Sequence, residues 1–332
     1  MLRTKQSSRG HIAALIAAML SVCIAFILFT HKQYILDQIS VWQYTPSGEI
    51  EKLTERSDMS SGGVFYFYAS HPSIDSADVF NKQCTRKEES IAVLGCFDGR
   101  TISIYNITND RLDGIKEVTA AHEMLHAAYG RLDDDTKKKL NILLETEYAK
   151  LKDTPEFSER MAFYARAEPG ERDNELHSII GTEIQSISPE LEAHYKAYFK
   201  SRSKVIELHA SYAAVFSDLQ ARSKQLAASL TALGTEIEAD SLRYNDMVTS
   251  LNRDINSFND RANNNEFTSN AEFQAGRSLL VARASGLEGA RQAINSKVTQ
   301  YDTLRQELTT VASESEALNK SIDSSLAPAP TL

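Results

Sequence analysis

The chain has 332 residues, with 36 Lys and Arg against 45 Asp and Glu, so its formal net charge is −9 at pH 7. Apolar residues make up 42 % and charged residues 24 %, which is typical of a folded protein and argues against a disordered one. Fourteen glycines and seven prolines exclude collagen-like and low-complexity chains. The acidic balance argues against binding to nucleic acid, which requires a basic surface.

An uncharged apolar segment, residues 12–30, follows a basic N-terminus. A helix of this length is about 28 Å long, close to the ~30 Å hydrocarbon thickness of a bilayer. Arg3, Lys5 and Arg9 precede the segment. By the positive-inside rule we expect residues 1–11 in the cytoplasm, residues 12–30 across the membrane as a single span, and the rest outside the cytoplasm.

Three other interpretations of this segment remain open: a cleaved signal peptide, a lipoprotein signal and a buried helix of a soluble protein. A signal peptide has an apolar core of about 7–15 residues and a small-x-small cleavage site, and neither feature is found here. Cys23 follows Val22, and the apolar run continues past it, which argues against a lipoprotein signal. An uncleaved anchor is the interpretation that these features favour.

Cys84 and Cys96 both follow the predicted span. Outside the cytoplasm two such cysteines can form a disulfide across a short loop. Two unpaired, half-buried thiols remain the alternative, since the spacing of the cysteines alone does not show whether they form a disulfide.

Between the anchor and the C-terminal third lie enough residues for one globular domain, which we place at 31–188. A run of β-forming residues predicts a strand over Val64–Tyr68, and Asp98-Gly99 predicts a hairpin turn. The hairpin strands are expected over 90–97 and 100–107, and helices over 115–129, 134–152 and 174–187.

The motif His122-Glu123-Met124-Leu125-His126 lies on the first of these helices. Residues four apart share a helix face, so both imidazoles can reach one metal ion. Zinc suits such ligands, and a catalytic site leaves one position for water. Glu123, beside the first histidine, is the candidate general base, since it can take a proton from the attacking water and pass it to the leaving amine.

The HExxH pattern also occurs by chance, on amphipathic helices with two solvated histidines. Between Thr119 and Ala128, however, Glu123 is the sole charged residue apart from the two histidines, so the helix is expected to be buried on most sides. A charged Glu in a buried helix needs a partner or a function. A predicted β-hairpin precedes the helix, and a glutamate suited to be a third ligand follows it.

The segment VTAAHEMLHAAY, residues 118–129, resembles the active-site helix of the zincin metallopeptidases. The metzincin group would need a further His soon after His126, and AAYGRLDDD contains none. The stretch NELHS, residues 174–178, resembles the NExxS stretch of the gluzincins. The resemblance covers about 70 residues and implies a zincin-like domain that binds Zn²⁺ through His122, His126 and Glu175, with Glu123 as the catalytic base. The gap between the two motifs is longer than in thermolysin and closer to that of the lethal-factor-like gluzincins.

The third ligand has rivals, because Glu183 and His177 lie on the same predicted helix. Gluzincins often carry an acidic residue four positions after the ligand Glu, where this chain has Ile179. The residue that orients a ligand histidine is then expected elsewhere, with Asp173 and Glu183 as candidates.

Tyr164 is a candidate to stabilise the oxyanion, since a phenol can donate to a developing charge. The alternative is an aromatic residue of the core. We interpret His71, His194 and His209 as surface or packing residues.

The C-terminal third has apolar residues at alternating three- and four-residue steps, which is typical of a coiled coil. Ser188 and Pro189 are suited to begin this helix, and the polar stretch NNNEFTSN, residues 263–270, interrupts it. The halves 206–258 and 272–324 have matched lengths of roughly 80 Å, which predicts an antiparallel hairpin within 189–324. Two separate helices or a longer parallel oligomer remain alternatives, and residues 325–332 are expected to form a flexible tail.

We therefore expect a helix-dominated α+β protein: one transmembrane helix, a zincin-like domain and an antiparallel helical hairpin. The predicted function is extracytoplasmic, zinc-dependent hydrolysis of a peptide or protein substrate. The hairpin would hold the catalytic domain at a distance, bind a protein partner or present substrate. The competing hypothesis is a non-catalytic envelope scaffold or adaptor that acts through its coiled coil.

Overall fold

A computed structural model describes residues 8–84, 93–167 and 170–326. In these ranges the chain forms twelve α-helices and three strands, so the predicted helix-dominated α+β class is confirmed. The helices are α1 (Ser8–Thr30), α2 (Lys32–Gln43), α3 (Gly48–Arg56), α4 (Ser61–Ala69), α5 (Ala77–Gln83), α6 (Ile115–Gly130), α7 (Asp134–Leu151), α8 (Pro155–Ala167), α9 (Arg172–Glu183), α10 (Pro189–Tyr195), α11 (Arg202–Asn263) and α12 (Asn270–Ile322). The strands are β1 (Ser73–Asp75), β2 (Gly95–Phe97) and β3 (Ile102–Tyr105).

The chain divides into two compact units. The first extends to Val215 and resumes at Leu318, and the second is Phe216–Ala317. The long helices α11 and α12 therefore each have one end in the first unit.

The N-terminal helix α1 is apolar, as predicted. Over Ala13–Thr30 it is long and apolar enough to cross a membrane, and none of this window is buried. A helix of this composition at the N-terminus suits either a membrane anchor or an export signal.

Helix α6 is the centre of the first unit. It packs against α3, α4, α9 and the sheet, and its buried residues come from every side of the helix. Gly181 of α9 allows the closest approach, because a Cβ there would lie 2.4 Å from Leu125 Cδ1 of α6. The predicted burial of this helix is therefore observed.

The sheet is small and has the strand order β1-β3-β2. β2 and β3 form the predicted antiparallel hairpin, with Cys96 opposite Ser103, and β1 pairs with β3 in parallel. A disulfide joins Cys84, at the end of α5, to Cys96 in β2, so the first of the two cysteine alternatives is correct. The predicted start of the hairpin, residues 90–92, lies outside the described residues.

The predicted strand over Val64–Tyr68 is wrong, because these residues lie in α4. Ser60 caps this helix, and its hydroxyl accepts hydrogen bonds from Gly62 N and Gly63 N at 3.1 and 3.2 Å. The aromatic side chains of α4 pack on α2 and α6, and this tertiary packing outweighs their preference for strands.

The predicted helix over 174–187 ends earlier, at Glu183. The guanidinium of Arg202, from α11, donates to Ile184 O at 2.6 Å and Gln185 O at 2.9 Å. It thus supplies hydrogen bonds to the carbonyl groups of the two residues that follow α9, which have no partner in the helix. Ser188 caps a helix as predicted, but that helix is the short α10, and the coiled-coil helix begins anew at Arg202.

Gly63 lies where α4 touches the chain after α10. A Cβ at this position would lie 2.2 Å from Tyr198 O, a backbone atom that already accepts a hydrogen bond from Ser60 N. We therefore expect Gly63→Ala to destabilise the first unit by about 1–3 kcal/mol, the usual effect of overpacking. Gly48→Ala is the matched control, because nothing lies within 4 Å of that position. Thermal unfolding of the full chain in detergent measures both, and equal melting temperatures would contradict this packing.

The second unit is formed by α11 and α12, which run antiparallel as predicted. Asp254 pairs with Arg283, whereas Asp240, earlier in α11, pairs at 2.9 Å with Lys297, later in α12. At the turn, Phe258, Phe267 and Phe273 form an aromatic cluster with ring centroids 5.0 to 5.2 Å apart. Of the predicted flexible tail, Ser325 and Leu326 lie in a short 3-10 turn, and 327–332 lie outside the described residues.

Candidate metal centre

Helix α6 presents His122 and His126 one turn apart on the same face. Gly114 caps the start of the helix in a left-handed conformation (φ 96°), and a Cβ there would lie 3.0 Å from Leu208 Cβ of α11. The two imidazole rings are 4.7 Å apart, centroid to centroid, and nearly perpendicular. His126 is buried and His122 half-buried, so the pair faces a partly enclosed space.

Helix α9 supplies Glu175 opposite these histidines. Its carboxylate oxygens lie 3.4 Å from His126 Nε2 and 3.5 Å from His122 Nε2. One ligand atom from each of the three residues falls within 4.8 Å of the other two, a grouping that can hold a metal ion. The structure thus brings together the three residues that the sequence analysis selected from two separate segments.

The electrostatics of this group favour a cation between the three side chains. Burial alone would raise the pKa of Glu175, but His126, His122 and Arg160 outweigh it, so its pKa is lowered and the carboxylate is charged at neutral pH. Glu175 Oε2 is buried and makes no hydrogen bond within the part of the chain that the structure describes. A buried, unsatisfied carboxylate oxygen beside two imidazoles fits zinc, which binds such N and O donors.

Glu123 lies beside this group, between α6 and the edge of the sheet. Its side chain is buried and packs against Gly95 of β2, where a Cβ would lie 2.9 Å from Glu123 Oε1 and 2.6 Å from Thr119 Cγ2. Glycine at position 95 therefore makes room for the carboxylate.

Tyr164 is a half-buried residue of α8. Burial raises its pKa well above the ordinary value, and the charge of Glu175 adds to this shift. The phenol therefore stays protonated at neutral pH. The carboxylate of Glu175 is close enough to contribute to this rise in the pKa of Tyr164. A protonated phenol in this position can donate a hydrogen bond.

Glu183, the rival third ligand, is bound by two other side chains. Arg160 Nη1 lies 2.7 Å and His209 Nε2 3.3 Å from Glu183 Oε2. Burial opposes ionisation, but these partners lower the pKa of Glu183 to about 2. It is not one of the three grouped residues.

His177, the other rival, is fully buried on a different side of α9. Its Nε2 lies 2.9 Å from His194 Nε2, and its ring stacks on Tyr195. Burial lowers the pKa of His177 well below its usual value and that of His194 to about 4, so both are neutral. The predicted packing role of His194 is observed. Asp173, a candidate to orient a ligand histidine, instead binds Asn141 and Arg172.

Two further histidines, His71 and His209, differ in their surroundings. His71 packs on Tyr44 and contacts Ser40 O at 3.1 Å, as expected of a packing residue. His209, in the first part of α11, instead contacts Glu183, as does Arg160 of α8. These contacts of Arg160 and His209 were not predicted, because no local sequence pattern reveals that α8 and α11 meet at Glu183.

No protein-family model matches the sequence, and searches of curated proteins and of solved structures find no match either. The grouping of His122, His126 and Glu175 fits a zincin-like site on its geometry alone.

Proposed function

We propose that the chain is a membrane-anchored, extracytoplasmic zinc metallopeptidase. The observation that carries the proposal is the group formed by His122, His126 and Glu175, with Glu123 adjacent to it on α6. The three grouped side chains would hold Zn²⁺. The ion would supply Lewis acidity toward a peptide carbonyl and lower the pKa of a water molecule toward about 7.

The roles of the other side chains follow from their chemistry and position. Glu123 accepts the proton of the water as it attacks the carbonyl carbon, and delivers that proton to the nitrogen of the departing amine. Tyr164, protonated at neutral pH, donates a hydrogen bond to the oxygen on which negative charge develops. Arg160 pairs with Glu183 and His209 contacts it, so that this carboxylate does not compete for the metal.

A peptide-library cleavage assay with the full chain in detergent tests the reaction. We expect cleavage that a zinc chelator stops and that added Zn²⁺ restores. A chain that binds zinc but cleaves no peptide and no exported protein would favour the competing hypothesis of a non-catalytic envelope scaffold.

The proposed topology places the N-terminus in the cytoplasm and residues 31–332 outside it. The basic residues before the apolar segment 12–30 support this orientation, and so does the disulfide Cys84–Cys96, since disulfides persist in oxidising compartments. Protease added to intact spheroplasts or protoplasts is expected to degrade the part after α1. If that part is degraded only after the membrane is broken, the orientation is wrong.

We also propose that the helical hairpin binds a protein partner. Several large apolar side chains of α11 and α12 are exposed, among them Leu242, Leu279 and Val281. A photoreactive residue at position 242 is expected to cross-link to a second protein in the envelope, and cross-links only within the chain would contradict this role.

A further inference from the structure

Helix α2 buries the carboxylate of Asp37 and exposes several large apolar side chains, the reverse of an ordinary surface helix. Asp37 is 4 % exposed, whereas Leu36, Ile39 and Trp42 are 47 %, 40 % and 77 % exposed. Positions 36, 39 and 42 follow helical spacing and lie on the side of α2 opposite to Asp37. We call these three residues the outer face of α2.

The orientation of α2 is fixed by its buried side. Asp37 accepts two hydrogen bonds from the guanidinium of Arg131, both at 2.8 Å, and one from Gln33 at 3.0 Å. At the edge of this side Tyr34, which is 61 % exposed, stacks on Phe65 of α4 with ring centroids 5.6 Å apart. Rotating α2 to hide the outer face would break a buried, bidentate ion pair, so the exposure of these apolar residues is built into the fold.

The position of α2 in the chain indicates what covers the outer face. Only His31 separates it from α1: His31 N donates to Ile27 O at the end of α1, and Ile35 N donates to His31 O at the start of α2. The outer face therefore begins beside the end of a helix that suits a membrane span. Trp side chains are enriched where a membrane meets water, and a lysine such as Lys32 can extend toward the headgroups.

We propose that the outer face of α2 lies against the lipid headgroup region of the outer leaflet. This inference rests on the membrane anchoring in the proposed function. At His31 (φ −106°, ψ 15°) the helical geometry is interrupted, and there the chain can lean toward the membrane surface. If α2 were instead perpendicular to the membrane plane, Trp42 would lie about 18 Å beyond Thr30, in water.

Membrane contact through α2 has a consequence for the metal centre. Arg131, the partner of Asp37, directly follows α6, and its guanidinium also donates to Ala127 O at 2.8 Å. The helix that carries His122 and His126 is thereby tied to the lipid-facing helix. Contact of the outer face with lipid would therefore fix the orientation of α6 relative to the membrane surface.

Fluorescence of Trp42 tests the contact, because the chain has one Trp. The full chain is reconstituted at one copy per phosphatidylcholine nanodisc, with and without lipids brominated near the headgroup end of the acyl chain. We expect the brominated lipids to quench Trp42 and aqueous iodide to have little effect. The matched control is the double variant Trp42→Phe/Ile142→Trp, since Ile142 lies on α7 and is 68 % exposed. Its fluorescence should show the opposite pattern.

Two outcomes would overturn the inference. Quenching of Trp42 by iodide and not by brominated lipid would mean that α2 stands in water. The measurement is repeated with two copies per nanodisc. If Trp42 becomes protected from both quenchers only in that sample, a second chain covers the outer face. Neither outcome affects zinc content or peptide cleavage, so failure here is distinguishable from failure of the proposed enzyme. If the protein isolated from cells lacked α1, the N-terminal helix would be a cleaved export signal and not an anchor.

Discussion

Glu123→Gln is expected to leave the metal in place and to abolish measurable hydrolysis. The amide keeps the size of the carboxylate beside Gly95, so the packing between α6 and β2 is preserved. It cannot accept the proton of the attacking water, and a general base typically contributes about 10²–10⁴-fold in rate. The measurement pairs zinc content with initial rates of peptide cleavage. Activity close to wild type would show that another group is the base.

The contrasting variant is His126→Ala, which removes one of the three proposed ligands. His126 Nε2 faces Glu175 at 3.4 Å, so its loss leaves that carboxylate with one fewer metal-binding neighbour. We expect zinc and activity to be lost together. The pair of variants thus separates the loss of the base from the loss of the metal, and a His126→Ala protein that keeps zinc would contradict the ligand set.

Glu175→Gln and Glu183→Gln are expected to differ in zinc affinity by a large factor. Glu175 faces both histidines, and replacing a ligand should weaken binding by more than about 100-fold, beyond the 10–100-fold typical of residues that merely support ligands. Glu183 is held by Arg160 and His209, so its replacement should change zinc affinity far less. Competition with a fluorescent zinc chelator measures both affinities. If Glu183→Gln loses the metal and Glu175→Gln keeps it, the third ligand is Glu183.

Glu183→Gln should instead reduce stability at neutral pH, because it leaves Arg160 beside an uncharged amide. The pKa of Glu183 is lowered to about 2 in the folded chain, against about 4.3 when unfolded. A lowered folded pKa contributes stability above the unfolded pKa, and this contribution is lost as the pH falls toward 2. The difference in denaturant midpoint between wild type and Glu183→Gln should therefore shrink below about pH 4, and a constant difference would contradict the ion pairing.

The central part of the fold was predictable because its signals are local. The uncharged stretch around Glu123 specifies a buried helix, and the four-residue spacing of His122 and His126 fixes their shared face. The two matched apolar seams around NNNEFTSN specify an antiparallel pair, as found for α11 and α12. The grouping of Glu175 with the histidines was predictable only through the resemblance to gluzincins.

Other features depend on contacts between distant segments. The aromatic run Val64–Tyr68 has the composition of a strand, but the Ser60 cap and packing on α6 make it a helix. Arg160, Glu183 and His209 come from three different helices, and no spacing in the sequence brings them together. The same holds for Asp37, whose burial depends on Arg131, 94 residues away.

The zinc content of the purified full chain is the most direct test of the metal centre. After dialysis against buffered micromolar Zn²⁺, wild type should retain one zinc per chain, and the His122→Ala variant, prepared in parallel, should retain none. Wild-type protein that is folded by circular dichroism yet binds no zinc, or a His122→Ala variant that binds as much as wild type, would contradict the account.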